Sequence, residues 1–141
     1  MNRLQREGRK DAKDAKMDEN ALSHRVIGAA IEVHRVLGPG LLESVYERAL
    51  ERELVLQGLE VRRQHPVSLE YKGIALGDAL RLDMLVNDLL LLEIKAVEKL
   101  LPLHEAQLLT YLRLTGRRLG LLVNFNTITL KDGIKRVVNG L

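Results

Sequence analysis

Residues 89–96 and 119–125 are apolar at almost every position, broken by Glu93 and Lys95 in the first run and by Asn124 in the second. A strand with one wet face alternates apolar and polar residues. A run without that alternation reads as a strand buried on both faces. Both faces of such a sheet must be covered, and helices are the usual cover. The chain is thereby directed towards an α/β fold around a central mixed sheet.

The flanking segments supply the helices. Leu22, Val26, Ile27, Ala30, Val33 and Leu37 recur at three- and four-residue spacings, predicting a helix over 20–37. Asp18 or Asn20 caps its start, and Gly38-Pro39-Gly40 ends it. A second helix is expected over 41–57, with Leu42, Val45, Ala49, Leu50 and Leu54 inward and Gly58 as its stop. The period then falls to two. Val61, Val67, Leu69 and Tyr71 predict a strand over 60–71 that Pro66 confines to a sheet edge or a bulge. A short segment at 74–76, a turn at Gly77-Asp78 and strands over 80–86 and 89–96 follow. Pro102 opens a helix to Thr115 that Gly116 closes, and Ile134, Val137 and Val138 suggest a terminal helix over 131–139.

Charge and composition narrow the function classes. The net charge is +3, but residues 1–17 hold six basic and three acidic side chains, so the remainder is neutral. That charged leader is expected to be a disordered tail, leaving 18–141 as a single domain. Without cysteine there is no disulfide framework, thiolate metal site or Cys nucleophile. No apolar run approaches the ~20 residues of a membrane helix, and residues 1–17 lack the apolar region of a signal peptide. A soluble, cytoplasmic protein is the expectation. The four histidines match no zinc spacing, although His104 lies one turn before Gln107. There is no phosphate-binding glycine loop and no G-x-S-x-G elbow.

Chemistry is concentrated in Leu92-Glu93-Ile94-Lys95. Residues two apart on a strand share a face, so Glu93 and Lys95 point the same way. An acid and a base in an apolar strand are costly unless they pair, meet water or bind a metal. Asp83 interrupts a second apolar strand ten residues earlier. Two carboxylates from adjacent strands suit a hard cation such as Mg²⁺ or Mn²⁺. An internal Glu93–Lys95 ion pair, with Asp83 in a turn, explains the same three residues. Glu43, in the first turn of its helix, is equally a partner for the helix dipole. Gln107 and Tyr111, four apart, share one face of the third helix.

Taken in order, these residues resemble the PD-(D/E)XK nuclease superfamily, and within it the small GxxExxY family. The resemblance runs over about residues 20–139. Gly40, Glu43 and Tyr46 carry it, with Arg81-Leu82-Asp83, Glu93-Ile94-Lys95-Ala96, His104 through Tyr111, and the run Leu119 to Phe125. Leu82 stands where the superfamily's name has proline. The resemblance implies a restriction-endonuclease-like αβββαβ core with an extra N-terminal helix and a C-terminal helix. It implies Asp83 and Glu93 as metal carboxylates, the Ile94 carbonyl as a third ligand, and Lys95 serving the attacking water. Glu43 would complete the acidic cluster, while Gln107, Tyr111 and Tyr46 would support the site or contact the phosphate backbone. The implied activity is Mg²⁺- or Mn²⁺-dependent hydrolysis of DNA or RNA, with a homo-oligomer left open. Two alternatives stand beside it: an inactive nuclease-fold module that binds nucleic acid or a partner protein, and a self-associating structural protein.

Register arithmetic makes the site testable. In an antiparallel hairpin, opposed residues have a constant sum and face the same side. A two-residue turn at Asn87-Asp88 sets Asp83 opposite Leu92, which sends Glu93 to the other face. A three-residue turn, or a compensating bulge, sets Asp83 opposite Glu93. The odd register, with Asp83, Glu93 and Lys95 on one face, is the expectation.

Overall fold

A computed structural model describes residues 17–141. The disordered tail expected over 1–17 lies, but for Met17, outside the described residues. Helices α1 (Glu19–Leu37) and α2 (Glu43–Leu56) come first. Strands β1 (Val61–Tyr71), β2 (Ile74–Val86) and β3 (Leu90–Lys95) follow. Helix α3 (Pro102–Thr115), β4 (Leu119–Asn124), a 3₁₀ turn (Leu130–Gly133) and β5 (Ile134–Val138) complete the chain. The strands form one sheet in the order β1-β2-β3-β4-β5, antiparallel except for the parallel β3–β4 pair. This is the mixed α/β architecture of a restriction-endonuclease-like fold.

One face of the sheet is covered by α1 and α2. Leu22, Val26, Ala30, Tyr46, Leu50 and Leu54 pack there on Met84, Val86, Leu92, Leu121 and Val123. The other face is covered by α3, whose Leu108 and Leu112 meet Leu82, Leu85, Leu91 and Leu122. Central strands β3 and β4 are thus buried on both sides, as their unbroken apolar runs require. Asp18 caps α1 by accepting from the Ala21 N–H at 2.8 Å. Gly116, at φ 68° and ψ 21°, closes α3 in the left-handed region.

Three expectations are corrected. Residues 131–139 form a 3₁₀ turn and strand β5 instead of a terminal helix. The other edge of the buried strand β4 has peptide groups that need partners, and β5 supplies them from Val123↔Ile134 to Leu119↔Val138. Residues 74–86 are one strand: Gly77 and Asp78 pair with Leu69 and Ser68, and the irregularity there is a pair of register shifts. In α2 the inward stripe is Tyr46, Leu50 and Leu54, whereas Leu42 and Val45 are exposed. Pro66 does sit in an edge strand.

Candidate active site

The β2–β3 hairpin pairs Met84 with Leu92, Leu85 with Leu91 and Val86 with Leu90. That is the odd register. Asn87 and Asp88 both take positive φ, 51° and 55°, and the Leu89 N–H closes the turn on the Val86 carbonyl at 3.0 Å. Leu89 is therefore the extra residue, and the left-handed backbone falls on the two side chains that tolerate it. Extending this register sets Asp83 opposite Glu93.

The ladder ends just before that pair, and side chains take over. The Ile94 N–H donates to Asp83 Oδ2 at 2.8 Å, and the Asp83 N–H reaches Glu93 Oε1 at 3.5 Å. The two carboxyls crowd one another, and their like charge favours keeping a proton on one of them. Glu93 is only 5% exposed. Burial first, and then the negative charge of Asp83, push its carboxyl up to about 8, against a smaller downward pull from Lys95. Lys95 follows two residues later on the same strand and shares its face.

Three further groups surround the pair. Glu43, in the first turn of α2, feels the charges of Lys95 and Asp83, and partial burial raises its carboxyl above the usual range. It is held there by the preceding turn, where Gly40 sits at φ 95°, a conformation that favours glycine. On α3, Gln107 Nε2 donates to the Tyr111 hydroxyl at 2.9 Å. Burial and the charges of Glu93 and Asp83 raise the Tyr111 phenol, so this helix faces the same acidic centre. Its approach depends on Gly120: a Cβ there would come within 2.9 Å of Leu108 Cδ1.

One residue of the expected set, Tyr46, has other surroundings, and so does His104. Tyr46 is fully buried, stacked on Phe125 at 4.6 Å between ring centroids. Its hydroxyl donates to the Gly38 carbonyl at 2.6 Å and accepts from the Leu41 N–H at 3.0 Å. It fastens the α1–α2 turn that delivers Glu43, and it has no surface to offer a substrate. His104 Nδ1 accepts from the Leu101 N–H at 3.0 Å and caps α3. Among the described residues no three His, Cys, Asp or Glu side chains close into a metal-ligand cluster. The close acidic centre is the Asp83–Glu93 pair, with Glu43 at its rim.

Sequence reasoning missed Asn124. Its carboxamide accepts from the Val97 N–H at 3.0 Å and donates to the Val97 carbonyl at 2.9 Å. It thereby holds the segment just after Lys95 as another strand would. The available signal was a lone amide at the end of an apolar run. Beside this clamp opens a cleft of about 490 Å³ lined by Lys99, Glu105, Asn124, Asp132 and Lys135 among others, and by none of the three site carboxylates.

No curated protein and no solved structure matches the chain significantly. A family model described as the PD-(D/E)XK nuclease superfamily matches residues 20–137, from the first turn of α1 into β5. The acid pair and lysine lie within that span, and the chain belongs to the PD-(D/E)XK nuclease superfamily.

Proposed function

We propose that this protein is a metal-dependent phosphodiesterase of the GxxExxY kind that hydrolyses DNA or RNA, with residues 18–141 acting as one nuclease domain. The observation that carries the reading is the meeting of Asp83 and Glu93 where β2 and β3 separate, with Lys95 on the Glu93 face. Nucleases of this superfamily usually use divalent metals. The donors suit one: two carboxylates and the Ile94 carbonyl are hard oxygens of the type that hold Mg²⁺ or Mn²⁺. A cation also offsets the like charge that keeps a proton on Glu93. When bound, it supplies Lewis acidity towards the phosphate and lowers the pKa of water.

The chain's own groups do the remainder. Lys95 orients the attacking water and balances charge on the scissile phosphate. Glu43 closes the acidic rim, and Gln107 and Tyr111 form a hydrogen-bonded pair that can turn towards a phosphate oxygen. Asn124 keeps the backbone after Lys95 in place. The test is cleavage of labelled single-stranded and duplex DNA and RNA by the wild type and by Lys95→Ala, with Mg²⁺, Mn²⁺ or EDTA. Cleavage should need the metal and fall about 10²–10⁴-fold in the variant, the range for a group that assists proton transfer. Equal cleavage by both proteins, or cleavage indifferent to EDTA, contradicts the reading.

A further inference from the structure

Opposite Asp83 on the edge strand, β1 carries a residue whose backbone and side chain join the two elements that build the site. Gln64 has φ 52°, in the left-handed region, although it lies inside a strand. The β1–β2 register runs from Val61↔Val86 to Val67↔Leu80 with one sum, so Gln64 falls opposite Asp83, and within that run this is the one position where the pairing lapses. Both strands turn over here. Val61, Met84 and Val86 pack on the α1–α2 side of the sheet. Val67, Leu80 and Leu82 pack on the α3 side. Residues an even number apart on a regular strand share a face, so a reversal is built in at Gln64 and Asp83.

The contacts of Gln64 run in two directions. Its Nε2 donates to Glu47 Oε1 at 2.8 Å, and Arg63 Nη1 lies 3.6 Å from the same oxygen. Glu47 is 6% exposed and sits one turn after Glu43, on the same side of α2. Its buried carboxylate anchors the rotation of α2 about its axis, and thereby where Glu43 projects. In the other direction, Arg81 Nη1 donates to the Gln64 carbonyl at 3.3 Å, two residues before Asp83 on β2.

We propose that Gln64 is a positioning residue of the acidic site, its reversed backbone and its amide bond to Glu47 together setting Glu43 against Asp83. The inference rests on the nuclease reading for its purpose, but its geometry can be tested apart from that reading. Gln64→Gly accepts the positive φ and removes the amide. If it does not fold, Gln64→Asn also tolerates the left-handed region, and its shorter amide falls short of Glu47.

Two measurements decide. Mn²⁺ affinity, read from the metal-induced rise in melting temperature, should fall about tenfold or more in the variant, as for lost outer partners of metal ligands. In the metal-free protein, urea unfolding of Gln64→Gly, Glu43→Gln and the double variant should show coupling of about threefold or more in the unfolding constant. Unchanged Mn²⁺ affinity, or additivity in the cycle, overturns the proposal. A wild type whose melt ignores Mn²⁺ removes the nuclease reading instead, and the cycle alone then decides the role of Gln64.

Discussion

Glu93 has its carboxyl pushed well above the usual range, and the consequence is a pH dependence of known sign. The unfolded chain ionises this carboxyl near pH ~4.3, whereas the fold keeps it protonated up to about 8. Between those values the unfolded state has lost a proton that the folded state retains, so stability falls as pH rises and levels off above the upper value. Urea unfolding of the metal-free protein at successive pH values should show this decline. Glu93→Gln should flatten it, and an identical slope in the two proteins would contradict the assignment. Tyr46 makes a simpler prediction. Tyr46→Phe keeps the stack on Phe125 but strands the Gly38 carbonyl and the Leu41 N–H, at a cost of about 1–3 kcal/mol in chemical denaturation. Because that turn delivers Glu43, the same variant should also weaken cleavage.

At the scale of elements, the helix α3 is held to the sheet through the absent side chain of Gly120. Gly120→Val would drive Leu108 outward, destabilise the fold by about 1–3 kcal/mol and carry Gln107 and Tyr111 away from the acidic pair. Thermal melts and the cleavage assay together check it; an unchanged melt would mean that α3 does not pack as described. The elements legible in the sequence were those with strong punctuation. Asp18 and Gly38 bound α1, Pro102 and Gly116 bound α3, and continuous apolar runs mark β3 and β4. The odd register could be weighed because Asn87 and Asp88 accept positive φ. The spacing of Ile134, Val137 and Val138 fits a helix as well as the strand they form. Only the unpaired edge of β4 decides between the two, and pairing is a property of the assembled sheet. Gln64 was illegible for a related reason: nothing in Arg63-Gln64-His65 announces that both strands turn over there.

Across the whole molecule, the two helical layers and the sheet meet at one end, where β2 and β3 part and the acidic pair replaces ladder bonds. Among the described residues no helix is long and apolar enough to cross a membrane. A ligand that binds only the folded protein stabilises all of it, so divalent metal should raise the melting temperature of the entire domain in one transition. If Asp83 and Glu93 form the proposed divalent-cation site, metal uptake has a fixed proton count, because a carboxyl must ionise to take up a cation. The direct measurement is calorimetric titration of Mn²⁺ at pH 6.5 to 9 in buffers of different ionisation enthalpy. Binding should release close to one proton at about pH 6.5, the release should fade as pH passes about 8, and Asp83→Asn should abolish binding. Binding without proton release at about pH 6.5, or binding that survives Asp83→Asn, would contradict the proposed site.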